Sequence, residues 1–262
     1  MSIGDVPKLL DRALASNSDA LSAPSVPPTS LERFTALLEV LLCSGFPTQL
    51  ALILLLTVSG NVPPDGALSL SYVVRMSLLD AALVLGLIWV FLRLRRESPV
   101  AVFIGRRPLG PEATLGLLLV PAALVLLAVT STIVLKAAPW LHNVTENPLE
   151  ALIDSPTAAA TFALVAVVAG GIREEVQRAF VLRRFETHLG GPVLGLVVFS
   201  IAFGLGHLVQ GRDAALITGL LGAFWGILYL KRRSIVSPII CHSGFNLVEI
   251  LIAYNMASAL ST

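Results

Sequence analysis

Long apolar runs, broken at intervals by short polar segments, dominate the chain from residue 34 onward. A helix needs about 20 mostly apolar residues to cross the hydrocarbon core of a bilayer. Seven stretches approach that length: Phe34–Val58, Tyr72–Leu94, Ala113–Leu135, Ala158–Leu182, Pro192–Leu208, Ala214–Leu230 and Ile235–Met256. The fifth and sixth are short, and the last can break into two pieces, which would make eight spans. The pattern predicts an all-α, polytopic transmembrane helical bundle.

Ahead of the first run, residues 1–33 are rich in Ser, Pro, Ala and Asp, and no continuous apolar core of a cleavable signal stands among them. They read as a disordered cytoplasmic tail with a short helix around Lys8–Leu14. Residues 34–136 form a first group of transmembrane helices and residues 155–256 a second. Lys and Arg gather on the cytoplasmic side of membrane proteins. Here Lys8, Arg12 and Arg33 lie in the tail, and Arg93, Arg95, Arg96, Arg106 and Arg107 in the second loop. Arg183 and Arg184 lie in the fourth loop and Lys231, Arg232 and Arg233 in the sixth, against Lys136 and Arg212 on the opposite side. Seven crossings with the N-terminus inside and the C-terminus outside account for that asymmetry.

Composition sharpens the picture. The chain is 55% hydrophobic and 13% charged, with a mean hydropathy of +0.84, whereas soluble domains carry about 25% charged residues. Membrane lipid is therefore the expected surrounding. The net charge of +1, with basic residues scattered through loops, argues against a nucleic-acid partner. Cys43 and Cys241 sit in apolar stretches and read as small core residues. Gly222 with Gly226, and Gly170 with Gly171, read as packing positions that let helices approach closely.

Against this background several ionisable residues stand out, because each costs about 2.5–3.5 kcal/mol to insert at a bilayer centre and persists where it pairs or works. The fourth span holds Arg173, Glu174, Glu175 and Arg178; the fifth holds His207; the seventh holds His242, Asn246 and Glu249. Glu174 and Arg178, Phe203 and His207, and His242 and Asn246 are each four residues apart, on one face of a helix. A carboxylate beside an imidazole can deprotonate water for attack on an amide. A His N–H and an Asn amide from another helix can donate to the developing oxyanion.

These residues form three ordered patterns: Glu174-Glu175-Val-Gln-Arg178, Phe203-Gly-Leu-Gly-His207 and His242-Ser-Gly-Phe-Asn246. Residues 155–256 thereby resemble the CAAX-protease and bacteriocin-processing family of intramembrane glutamate proteases, which includes the type II prenyl-protein endopeptidases. The resemblance implies an endopeptidase acting on a membrane-associated protein or peptide, with no metal or other cofactor. It implies that Glu174 or Glu175 with His207 activates water, and that His242 and Asn246 hold the oxyanion. Arg178 would orient the carboxylate and Phe203 would pack beside the site. The family places three residues between the second Glu and the Arg, where this chain has only Val176 and Gln177. That leaves both glutamates as candidate bases; Glu174 is favoured by its four-residue spacing to Arg178.

Other readings of the same residues are a non-catalytic membrane scaffold or immunity-type protein that keeps the site's shape, a zinc site built on His207, His242 and a Glu, and a proton relay. Cys241 is a poor nucleophile for His242, since adjacent helical side chains diverge by about 100°. Asn143-Val-Thr145 fits a glycosylation sequon.

Overall fold

The computed structural model describes residues 27–61 and 68–260; the short helix expected around Lys8–Leu14 lies outside them. Among the described residues the architecture is helical throughout, without strands. The first helix, α1 (Ser30–Leu42), begins four residues before the apolar run. Its start is set by a capping box: the Thr29 side chain accepts from the Glu32 backbone N–H, and the Glu32 carboxylate accepts from Thr29. Residues 30–33 are thus helix, not tail.

α1 and α2 (Phe46–Val58) are two halves of one apolar run, bent by 44° at Cys43–Gly45. Gly45 has φ +89°, a region costly for a side chain, and Pro47 in the first turn of α2 lacks the N–H that would continue α1. α3 (Leu70–Leu94) is capped by Ser69, and α4 (Leu109–Ala137) follows a short connection. α5 (Pro156–Val165) runs without interruption through a wide turn, Ala166–Arg173, into α6 (Glu174–His188). α7 (Pro192–Leu205), α8 (Arg212–Arg232) and α9 (Val236–Leu260) complete the chain. The last helix is unbroken.

Among the described residues five helices are long and apolar enough to cross a bilayer, α5 and α6 counting as one, or six if α1 and α2 also count as one broken span. The fifth expected span is the shorter α7, whose 14 residues cover about 21 Å of a core about 30 Å thick. α6 ends beside Arg95, where the guanidinium donates to His188. α8 begins beside the loop after α4, where Arg212 N–H donates to Asn143 and His142 meets Asp213 at 2.6 Å. α7 and the turn after it connect these two ends.

α4 lies along α9, α7 along α8, and the wide turn lies against α9. Glycines set the closeness of these contacts: a Cβ on Gly222 would come within 2.7 Å of the Phe203 ring, and one on Gly226 would strike Leu196. At the arginine-rich end, ion pairs tie the helices together. Glu39 of α1 accepts from Arg95 at 2.6 Å and Arg184 of α6 at 2.5 Å, and Arg184 also reaches Glu97. Arg232 meets the buried Glu112 of α4, and Arg233 meets Glu186. Leu117, Leu118, Ile133, Leu164, Val193 and Ile201 are exposed on the flanks. An apolar surface of this extent is suited to lipid, not water.

Candidate active site

Glu175 and Arg178 face the interior, 1% and 0% exposed. A carboxylate and a guanidinium in such a place must satisfy each other, and Arg178 Nη1 donates to Glu175 Oε1 across three residues. This corrects the expected partnership of Arg178 with Glu174 four residues before it. Glu174 is turned about 100° from Glu175 and lines the central cavity, while Arg178 is walled in by aromatic rings. Its guanidinium lies 4.8 Å from the Phe203 centroid, 5.2 Å from Phe199 and 5.7 Å from Trp225. These rings hold Arg178 where only the inward carboxylate reaches it.

α9 brings His242 to the same point. Its Nδ1–H donates to Glu175 Oε1 at 2.8 Å, which leaves Nε2 3.9 Å from Glu174 Oε2. The ring is stacked on Trp225, centroids 3.7 Å apart and planes 16° apart. The close approach of α9 depends on the wide turn: a Cβ on Gly170 would lie 2.6 Å from Asn246 Nδ2, and one on Gly171 would collide with Ser243. Asn246 Nδ2 sits 3.5 Å from the Ala166 carbonyl, a weak contact.

His207 falls just beyond the end of α7, in the turn leading to α8. Its Nδ1–H donates to the Phe203 carbonyl at 2.8 Å. Phe203 lies between the imidazoles, 4.9 Å from the His207 ring and 6.3 Å from the His242 ring. Glu174, His207, His242, Asn246 and Glu249 all line one cavity of about 1300 Å³. The structure therefore joins Glu175, Arg178 and His242 by direct contact and sets Glu174, His207 and Asn246 around a shared hollow.

Residues 156–248 match the sequence model of a family described as Type II CAAX prenyl endopeptidase Rce1-like. This segment is similar to the Rce1-like family. The Rce1-like region begins at the first residue of α5 and ends within α9, so α1–α4 lie outside it. It is a protease family, and with the apolar helices above it makes the chain a multi-pass integral membrane protein. No match to the chain was found among curated proteins or among solved structures.

Two features of the site escape the sequence patterns. Trp225 reaches His242 from α8 and carries no motif to announce it. Asp80, in the middle of α3, accepts from Arg173, the residue before Glu174; an acid within an apolar span was the signal for it. Cys241 is buried and accepts from Trp225 Nε1 at 3.4 Å. Among the described residues no group of three or more His, Cys, Asp or Glu is arranged to hold a metal ion, so donor geometry lends the zinc reading no support.

Proposed function

We propose that the chain is an intramembrane endopeptidase in which Glu174 is the general base. One observation carries this reading: Glu174 Oε2 and His242 Nε2 stand 3.9 Å apart on the wall of a large cavity. At that separation one water can hydrogen-bond to both. His242 spends its Nδ1–H on Glu175, so in the neutral ring Nε2 accepts. Glu175, braced by Arg178, orients that ring, as a carboxylate behind a histidine does in hydrolases.

Glu174 takes a proton from the water, and the oxygen attacks the peptide carbonyl carbon. The Asn246 amide donates to the oxyanion. When the C–N bond breaks, the proton passes from Glu174 to the departing amine. His207 Nε2, unprotonated because Nδ1–H is donated to the Phe203 carbonyl, receives the proton of the new carboxylic acid. Relative to the roles implied by the family pattern, these contacts favour moving His242 to the water and leaving the oxyanion to Asn246. The largely apolar cavity suits a membrane-associated protein or peptide. The family description supports a chain ending in a prenylated CAAX sequence as the first substrate to try.

The test uses purified protein in liposomes and an internally quenched peptide ending in a CAAX sequence, with and without a farnesyl group. The wild type cleaves the farnesylated peptide, and Glu174→Gln lowers kcat by about 100-fold or more, the scale of a lost general base. Wild-type cleavage by Glu174→Gln would overturn the assignment. The short Glu175-to-Arg178 spacing favours a second reading, a non-catalytic scaffold; that reading wins if the wild type cleaves neither peptide.

A further inference from the structure

Arg173 lies between two carboxylates. Its Nη2 donates to Asp80 of α3, whose other oxygen accepts from the Thr48 hydroxyl of α2. Its Nη1 lies 4.0 Å from Glu174 Oε1, beyond hydrogen-bonding distance. The guanidinium rests against the bend between α1 and α2, where a Cβ on Gly45 would come within 2.8 Å of Nη2. Arg173 is only 8% exposed, and its Nε has no protein partner. Beside it a small chamber of about 120 Å³ is lined by Gln49, Ser77, Asp80, Arg173 and Glu174, among others. Arg173 and both acids border that space.

The geometry points to Asp80 as a positioning residue that withholds Arg173 from Glu174. The inference rests on Glu174 being the base. Arg and carboxylate form strong bidentate pairs when nothing competes. Closed on Glu174, Arg173 would occupy the oxygens that must receive water and its proton. With Asp80 held by Thr48 and paired with Arg173, Arg173 is already engaged, and Glu174 keeps an oxygen for His242 and water. The helices outside the Rce1-like segment thus contribute directly to the base's availability. Asp80 does this without touching substrate.

The variants are Asp80→Asn and the double variant Asp80→Asn/Arg173→Gln, with Glu174→Gln alongside, all in liposomes with the quenched farnesylated peptide. Asp80→Asn frees Arg173 and lowers kcat by about tenfold or more, with KM changed less than about twofold. The double variant has no guanidinium to close on Glu174 and recovers most of the lost kcat. With rates taken per folded enzyme, a loss in kcat alone marks a blocked base. A merely structural pair would lower the folded fraction and the unfolding midpoint and leave kcat of the folded Asp80→Asn enzyme near the wild type. Asp80→Asn at the wild-type rate, or a double variant no faster than Asp80→Asn, overturns the positioning role. Should Asp80→Asn fail to elute as a folded protein, the double variant decides, because it removes the buried charges together: folded and inactive, it overturns the role. If Glu174→Gln is inactive while Asp80→Asn matches the wild type, only this inference fails. If Glu174→Gln keeps wild-type activity, or the wild type leaves the peptide intact, the proposed function fails and this inference with it.

Discussion

Glu174 and Glu175 are adjacent in the chain and have opposite surroundings. Glu175 is sealed between Arg178 and His242, whereas Glu174 lines the cavity. The two substitutions should therefore fail differently. Glu175→Gln leaves Arg178 as a buried charge without a counter-ion, a change that costs about 3–5 kcal/mol. Its thermal unfolding midpoint in detergent should fall clearly below the wild type, while Glu174→Gln unfolds near the wild-type temperature and loses kcat alone. Equal stability of the two would show that Glu175 is not the structural acid. The four-residue spacing of Glu174 and Arg178 was legible, but spacings of three and four residues are both neighbours on a helix. The aromatic wall of Phe199, Phe203 and Trp225 chose between them, and those residues come from α7 and α8.

Among the elements, the wide turn Ala166–Arg173 controls the site. A π-type turn carries an extra residue and rotates everything that follows it, so it sets which glutamate faces inward. It also presents Gly170 and Gly171 to α9. Gly171→Ala would drive a methyl group into Ser243 and push α9 outward, moving His242 and Asn246 off the acids. Activity in the peptide assay should fall by about tenfold or more, since displacements of about 1 Å can cost about 100-fold, while α-helical circular dichroism is retained. Full activity of Gly171→Ala would mean that α9 tolerates the shift. The glycine pair was readable as a packing position. The π-type turn was not, because apolar Ala-Val-Val-Ala continues a helix equally well with either hydrogen-bond pattern.

For the whole molecule, orientation follows from charge. The arginines at the ends of α3, α6 and α8 share one end, much of their charge held by Glu39, Glu97, Glu112 and Glu186. We propose that this end and the N-terminus face the cytoplasm, with short α7 as a crossing and the C-terminus outside. Alkaline phosphatase fused after the last residue should then be active in a bacterial host, and a fluorescent protein fused there should be dark. The reverse result would place the C-terminus inside and the arginine-rich end outside, inverting the orientation.

The amino-acid pattern alone determined the helical membrane class and most helix positions, because the bilayer demands long apolar segments with internally satisfied backbones. It also determined which helices carry Glu174, Glu175, Arg178, His207, His242 and Asn246, since an ionisable group in an apolar span is conspicuous wherever it stands. Tertiary structure decided which of these meet. The bend at Gly45, the π-type turn, the Trp225 stack on His242 and the Asp80–Arg173 pair all join segments far apart in sequence. Contacts of that kind depend on how helices rotate and approach one another, and local periodicity carries no record of a partner's rotation.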